Sequence, residues 1–247
     1  RNVFKRSGAT EFKNIWSGAL QYLAADENGL LISREQFMGV LNKQSTEVVI
    51  PDGVTSIYRY AFTNCDALER VVIPAGVTTL DYYLFQNMDS LSEVVLPDTL
   101  TTIRDFAFYK CESLTQITLP EGLTDVGDCA FASCGKLAEV TFPSTLTNVG
   151  YTAFGGTAWL TAQAEQDFVI VGDGVLIQTN FQGDECVVPD GVKRIAAGGI
   201  QSKTYKRLVL PGTLVKGWAV KYNGVSSLSS LTVEEIYLAD GITEVTD

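Results

Sequence analysis

The side chains that could carry out chemistry in this sequence are carboxylates and thiols, because its 247 residues include no histidine. A chain without histidine forms neither a Ser-His-Asp nor a Cys-His catalytic set, nor a zinc site with histidine ligands. Carboxylate pairs can still hydrolyse glycosidic bonds. Glu93 and Glu139 are such a pair, 46 residues apart at equivalent positions of a repeat. Strand spacing places them roughly 9 to 10 Å apart, near the separation in an inverting glycosidase.

Any regular column of glutamates produces pairs at this spacing, and the sequence shows no aromatic platform beside them. The sequence also lacks the multi-oxygen loop that binds calcium. We therefore predict that the chain is not an enzyme and has no catalytic, cofactor-binding or metal-binding residues. A carboxylate-dependent, polysaccharide-active enzyme on a parallel β-helix stays open as an alternative.

Five cysteines raise the question of a disulfide or a metal site. The absence of a Cys-x-x-Cys pair argues against zinc. Three of the cysteines share one repeat position with a methionine and a threonine, namely Cys65, Met88, Cys111, Cys134 and Thr157. Because small and medium side chains recur there, we predict buried free thiols, although stacked repeats would bring Cys111 and Cys134 within reach of a bridge. Cys129 and Cys186 lie outside this column, and their pairing stays open.

The charges argue against nucleic acid and membranes as partners. The chain has 18 basic and 29 acidic residues, a net charge of −11, whereas nucleic acids and anionic lipids attract basic surfaces. No segment approaches the roughly 18 consecutive apolar residues of a membrane span. Residues 1–13 lack the apolar middle of a signal peptide, and the chain begins with Arg1 rather than methionine, which favours removal of a targeting segment.

Proline marks a repeat of 23 residues. All seven prolines follow this period, with one double interval and a last interval of 22, at Pro51, Pro74, Pro97, Pro120, Pro143, Pro189 and Pro211. Apolar residues recur at fixed offsets from them, including a phenylalanine eleven residues after each of the first five prolines. A unit of this size cannot bury its own apolar face, so stacking the units into a solenoid gives one continuous core.

Each unit contains one predicted strand and one predicted arc. The residues before the proline are rich in β-branched types and alternate in polarity, which predicts a short strand that ends at the proline. The pattern Ala-Phe-x2-Cys-x2-Leu spaces its apolar residues three and four apart. That spacing predicts a turn of helix or a 3₁₀-like arc.

These residues resemble the BspA-type leucine-rich repeat family of surface proteins from bacteria and some protozoa. The resemblance is carried by runs of the type IPDGVTSI…AF..C..L..V between Val48 and Leu160. It implies a leucine-rich repeat solenoid, a right-handed α/β superhelix with short parallel strands on one face, helical, 3₁₀ or loop arcs on the other, and β-hairpin insertions. It also implies an extracellular or cell-surface protein that attaches to host matrix, host cells or other microbes.

A single solenoid over residues 1–247 is predicted in four parts. Residues 1–46 are interpreted as an irregular N-terminal repeat or cap with its own hairpin, and 47–160 as regular repeats. Residues 161–185 form a predicted hairpin insertion, because 168–177 suggests two strands around Gly172-Asp173-Gly174. Residues 186–247 are interpreted as divergent C-terminal repeats.

The outward strand positions form the predicted contact surface. In leucine-rich repeat proteins such residues line the concave face, although exposed sheet positions favour valine and threonine in any protein. The candidates lie four and two residues before the prolines or their equivalents: Glu47, Val49, Arg70, Val72, Glu93, Val95, Gln116, Thr118, Glu139, Thr141, Glu185, Arg207, Glu235 and Tyr237. We predict adhesion to a host or microbial protein or glycan through this face. A structural spacer for a separate functional domain is a further alternative, and the oligomeric state stays open.

Overall fold

The computed structural model describes residues 11–12, 23–26, 28–200, 204–215, 221–222, 225–226, 228 and 231–239. Within them the chain is a β-solenoid whose regular coils each contribute two short strands. The predicted repeat solenoid is confirmed. The second strand of each coil is new relative to the sequence-based prediction, which assigned one strand to each unit.

The strands and the one helix of the described residues are short. In chain order they are β1 (Glu11–Phe12), β2 (Leu23–Ala24), β3 (Leu30–Ser33), β4 (Gln36–Val40), β5 (Glu47–Val49), β6 (Ser56–Ile57), β7 (Arg70–Val72), β8 (Thr79–Leu80), β9 (Glu93–Val95), β10 (Thr102–Ile103), β11 (Gln116–Thr118), β12 (Asp125–Val126), β13 (Glu139–Thr141), β14 (Asn148–Val149), α1 (Ala158–Thr161), β15 (Phe168–Val171), β16 (Val175–Thr179), β17 (Glu185–Val187), β18 (Arg194–Ile195), β19 (Thr204–Leu210), β20 (Lys221–Tyr222), β21 (Val225–Ser226) and β22 (Thr232–Leu238). Among the described residues, no helix is long and apolar enough to cross a membrane.

The strands that precede the prolines form one side of the solenoid, which we call the strand face. They pair in parallel as β5-β7-β9, β11-β13 and β17-β19-β22. In the regular coils each residue lies beside the residue 23 positions later, as Val48 does beside Val71. No hydrogen-bonded ladder joins β9 to β11, so the strand face is interrupted there.

The two-residue strands form a second side. β8, β10, β12 and β14 make a parallel sheet, and two hairpins extend this side in the same way. β3 and β4 are antiparallel, and β4 runs parallel to β6. In the same way β15 and β16 are antiparallel, and β16 runs parallel to β18. The predicted insertion hairpin around Gly172–Gly174 is therefore confirmed. The N-terminal hairpin turns at Arg34 and Glu35, which the sequence pattern did not locate.

Proline recurs because it joins these two sides. The carbonyl of each proline accepts a hydrogen bond from the N–H three residues later, as between Pro120 and Leu123 at 2.9 Å. That bond closes a β-turn. Proline has no N–H to lose at the end of a strand, and its fixed φ is compatible with the extended backbone that leads into the turn.

The third side consists of arcs of consecutive turns. Of the three predicted forms of the arcs, helical, 3₁₀ and loop, the structure shows loops. In the arcs that follow β8, β10 and β12, the φ angle is positive at two residues four positions apart, for example at Phe106 (59°) and Lys110 (60°). Such residues cannot continue a right-handed helix. Their coils are instead joined to one another: the N–H of Phe108 donates to Ala130 of the next coil at 2.7 Å. The α part of the predicted α/β superhelix is reduced, among the described residues, to α1.

A column of phenylalanines runs through the core. Neighbouring rings lie 4.9 to 5.4 Å apart between centroids along the series Phe37, Phe62, Phe85, Phe108, Phe131 and Phe154. All six side chains are buried. A separate cluster around Leu176 and Leu208 continues the core under the C-terminal strands.

The predicted boundaries between the four parts of the solenoid remain predictions. Much of the predicted N-terminal cap, residues 1–10, 13–22 and 27, lies outside the described residues. The same is true of 201–203, 216–220 and 240–247 in the predicted C-terminal repeats.

We expect Phe108→Ala to lower the free energy of unfolding by about 3–5 kcal/mol, because the ring fills the middle of the stacked column and its loss leaves a cavity. Tyr58→Ala, at an exposed ring, is the matched control and is expected to stay within about 0.5 kcal/mol. Urea titrations followed by circular dichroism measure both. Equal losses from the two variants would contradict the stacked core.

Candidate binding surfaces

The structure places the predicted contact residues together on the strand face, in three groups. The interruption between β9 and β11 separates the first group from the second, and the hairpin β15–β16 lies between the second and third in the chain. Within a group the side chains stand in register: Glu47, Arg70 and Glu93 form one row, and Val49, Val72 and Val95 the next. Glu185, Arg207 and Glu235 repeat the charged row in the third group.

The charged rows differ in how their arginine is paired. Arg70 lies between two carboxylates and forms ion pairs with Glu47 and, at 3.0 Å from Nε, with Glu93. In the third group the guanidinium of Arg207 lies 4.0 Å from the centre of the Tyr237 ring. Such exposed pairs add little to stability. They do order the long side chains, but each of these two rows holds two carboxylates and one guanidinium and so keeps a formal net negative charge.

Apolar side chains share this face with the charged rows. Val49 and Val187 are each more than half exposed, at 53% and 56%, and Val95 and Tyr237 are also exposed. The flat sheet holds these side chains on short strands whose inward residues are core positions. Rigid exposed apolar groups cost little conformational entropy when a partner covers them.

The interruption of the strand face opens a shallow cleft of about 310 Å³. It is lined by Glu93 and Val95 on one side and by Gln116 and Thr118 on the other. The sequence-based separation of Glu93 and Glu139 assumed an unbroken ladder of strands. Hydrogen bonding of the ladder is interrupted between them, although β9 and β11 remain in contact. The 9 to 10 Å spacing of a glycosidase pair stays a prediction.

A second exposed surface, which the sequence analysis missed, lies where the second side meets the arcs. We call it the aromatic corner, and it consists of Tyr58, Tyr60, Tyr82, Tyr83, Phe106 and Tyr109. The four first-named tyrosines are exposed. Tyr83 stacks on Phe106 at 5.1 Å between centroids, and Arg104 lies 5.0 Å from the centre of the Tyr82 ring. Tyr60, Tyr83 and Phe106 are 23 residues apart, a signal that was overlooked because these positions were treated as variable.

Glycines replace bulky residues beside the aromatic corner. Gly127 and Gly150 contribute to a groove of about 280 Å³ that Tyr82 and Arg104 also line. A Cβ at Gly127 would lie 2.4 Å from an oxygen of Asp105. Glycine is therefore required where the chain passes this close to an acidic side chain.

Two aspartates connect the coils below this groove. Asp105 accepts a hydrogen bond from the N–H of Asp128 at 3.0 Å, and Asp128 accepts one from the N–H of Tyr151 at 2.6 Å. Partial burial raises the pKa of Asp128, and the hydrogen bond from Tyr151 offsets only part of that rise. The Asp128 carboxylate is thus a structural link with an electrostatic cost.

The cysteines of the repeat column belong to the core. Cys65, Cys111 and Cys134 are buried and free, as the repeat predicts. The thiols of Cys111 and Cys134 donate to backbone carbonyls of the preceding coils at 3.0 Å. The pKa of Cys111 is raised by its hydrogen bond with Cys134 and by burial. Cys186 is buried and free too, and burial raises its pKa to about 11.

Comparison with known proteins identifies the repeat. A family model described as the BspA type leucine-rich repeat region matches residues 31–161 in six copies. The chain belongs to the BspA-type leucine-rich repeat family. No curated protein sequence matches the chain significantly. In the BspA-type coils of this chain, the residues that recur are those of the strands, the proline turn and the phenylalanine column.

Solved leucine-rich repeat structures resemble the chain at low identity. A T. pallidum leucine rich repeat protein is 28% identical, over 74% of this chain and 84% of its own, with a TM-score of 0.49. A leucine-rich repeat protein from Bacteroides ovatus is 20% identical, over 83% of this chain and 55% of its own, with a TM-score of 0.48. A leucine rich cell surface protein from Faecalibacterium prausnitzii is 21% identical, over 85% and 70%, with a TM-score of 0.48.

In the part of the chain that the structure describes, no group of three or more acidic or cysteine side chains is arranged to hold a metal ion. The clefts on the strand face and beside the aromatic corner are shallow and open to solvent. These BspA-type coils therefore offer extended contact surfaces.

We expect Asp128→Asn to raise the free energy of unfolding at neutral pH, by less than about 1 kcal/mol because solvent screens the site. A carboxyl with a raised pKa in the folded state destabilises the fold once it ionises. The gain should therefore disappear as the pH falls through the ordinary range of aspartate, where both states are protonated. Asp98→Asn, at an exposed carboxylate, is the control. Denaturant titrations over this pH range measure the effect, and a gain that persists in acid would contradict it.

We expect iodoacetamide to modify Cys129 in the folded protein and to leave the other four cysteines unmodified. The reagent attacks thiolates. Cys129 is the one described cysteine that is not buried. Mass spectrometry after peptide cleavage gives the modified positions, and all five should react in urea. Rapid modification of Cys65 or Cys111 without denaturant would contradict the burial of these cysteines in the core.

Proposed function

We propose that the chain is a non-enzymatic interaction protein, secreted or located at the cell surface, that adheres to a host or microbial protein or glycan through the strand face. Membership of the BspA-type leucine-rich repeat family supports an interaction role. The proposal makes no use of a cofactor, and it excludes nucleic acid and membrane insertion as modes of binding for this acidic chain.

The observation that carries the proposal is the arrangement of side chains on the strand face. In the first group the exposed Val49 and Val95 stand in register beside a row in which Arg70 pairs with both carboxylates. A partner can cover such a surface without burying an isolated charge, which is the costly step in forming an interface. The flat sheet also offers area for a macromolecule.

The aromatic corner is a second candidate surface for the same role. Tyrosine and arginine are over-represented among residues that dominate binding energy in protein interfaces. Here exposed tyrosines are combined with Arg59 and Arg104, whose guanidiniums lie 4.6 and 5.0 Å from tyrosine ring centres. The corner lies on a different side from the rows of valines, so substitutions can separate the two surfaces.

We expect the immobilised protein to bind at least one component of an array of glycans and extracellular-matrix proteins. The double variant Val49→Lys/Val95→Lys should weaken that binding at least about tenfold, since it places cations where a partner would bury apolar surface. Tyr60→Ser/Tyr83→Ser at the aromatic corner is the matched control. Circular dichroism checks that both variants fold.

Three outcomes contradict parts of the proposal. Absence of any binder above background contradicts adhesion by this chain and favours a structural spacer. Loss of binding in the corner variant alone moves the contact from the strand face to the aromatic corner. Polysaccharide turnover that Glu93→Gln or Glu139→Gln abolishes would show that the chain is an enzyme.

A further inference from the structure

The second hairpin leaves a gap in the stack of coils. On the second side, β16 contacts β14 and pairs with β18, so one hairpin strand takes the place of one coil. On the third side the hairpin supplies no arc. A cleft of about 390 Å³ separates the arc at Gly150–Gly155 from the next arc at Ala197–Gly199. We call this cleft the slot.

One wall of the slot presents a row of backbone donors. In the preceding coil the N–H groups of Cys129, Phe131 and Ser133 donate to carbonyls of the following arc at 2.7 to 2.8 Å. The equivalent donors one coil later belong to Thr152, Phe154 and Gly156. Within the described residues, none of these three N–H groups meets an acceptor.

The conformation of this wall is already that of a paired arc. Thr152 and Gly156 have φ angles of 45° and 74°, and the equivalent Cys129 and Ser133 have 52° and 62°. Phe154 is buried, whereas Thr152 and Gly156 are exposed. Thr152 and Phe154 line the slot, and Gly156 follows Gly155 at its end. Unpaired N–H groups along an exposed edge can pair with another chain segment, and this edge keeps the arrangement in which the preceding coil is paired.

The walls of the slot are mostly apolar or small. Leu160 and Ile177 line it beside Phe154, and Ala197, Gly198 and Gly199 form the opposite wall. Gln178 and Thr179 are the polar side chains of the hairpin that also line it. No lysine or arginine lines the slot. Gly199 already accepts a hydrogen bond from Thr179 at 2.9 Å, which ties the opposite wall to the hairpin.

We propose that the slot binds a short extended peptide segment, which takes the place of the missing arc and accepts hydrogen bonds from Thr152, Phe154 and Gly156. The donors belong to alternate residues, as the carbonyls of the natural partner arc do. A row of this kind matches the carbonyls of every second residue in an extended peptide. The apolar walls select small or apolar side chains, as in other modes of recognition by strand addition.

A free anion is the competing ligand, because backbone N–H groups in turns of alternating φ can also form an anion site. The slot lacks the basic side chain that would add charge to such a site. Its length along the arc and its apolar walls suit a chain segment better than a compact, strongly hydrated ion.

The test uses the ¹⁵N-labelled 247-residue chain and the uncharged probe N-acetyl-tetra-alanine amide. We expect the amide signals of Thr152, Phe154 and Gly156 to shift on titration up to about 10 mM, as for a weak ligand, while those of Cys129 and Ser133 stay in place. Ile177→Trp fills the slot and should reduce the response at least about fivefold. Ala138→Trp, at an exposed site of another coil, should leave it unchanged.

Parallel titrations with sodium acetate and with phosphate test whether the slot binds a free anion. Shifts of the same three amides with these salts and not with the peptide would overturn the proposal in favour of an anion site. Hydrogen exchange of the free protein gives an independent check that needs no variant. Thr152, Phe154 and Gly156 should exchange faster than Cys129, Phe131 and Ser133, and should slow when peptide is added. Equal protection without peptide, or no shift at any concentration, would also overturn the proposal.

Discussion

The constraint on which the structure depends is the return of the chain to the same position after every 23 residues. Each coil must present its strand, its turn and its arc to the equivalent groups of the next coil. The phenylalanine column shows this return most directly. Neighbouring rings in the series from Phe37 to Phe154 lie 4.9 to 5.4 Å apart between centroids. A coil that changed length would break ring stacking and backbone hydrogen bonds together, because both depend on the same spacing.

The candidate binding surfaces lie in two kinds of place. Some lie where the repeat aligns outward-facing side chains, and one lies where the repeat is broken. On the strand face the regular spacing aligns outward residues into rows, such as Val49 beside Val72 and Val95. At the aromatic corner it aligns Tyr83 on Phe106. At the second hairpin a strand replaces the coil, and among the described residues none accepts the hydrogen bonds that the arc of a regular coil accepts. The core and the exposed surfaces of the described coils therefore both depend on the same repeat spacing.

Much of the fold could be predicted because the repeat encodes it locally. The proline period, the strand before each proline, the buried cysteine column and the hairpin around Gly172–Gly174 all follow from residue types at fixed spacing. The arcs were harder to predict, since Ala107 and Phe108 have a spacing that also suits a helix. Coil-to-coil hydrogen bonds and the positive φ angles of Phe106 and Lys110 decide against it, and neither is visible in the sequence of one unit.

By itself, the sequence determined the repeat, its family, the core columns and the residues that point outward from the strands, because these depend on periodicity. Only the tertiary structure decided how the coils join across their edges. It interrupted the strand pairing between β9 and β11, brought Tyr82 and Arg104 beside Gly127 and Gly150, and left Thr152 and Phe154 facing a slot. The reason is physical: contacts within a coil repeat with the sequence, whereas contacts between coils depend on how each pair of neighbours packs.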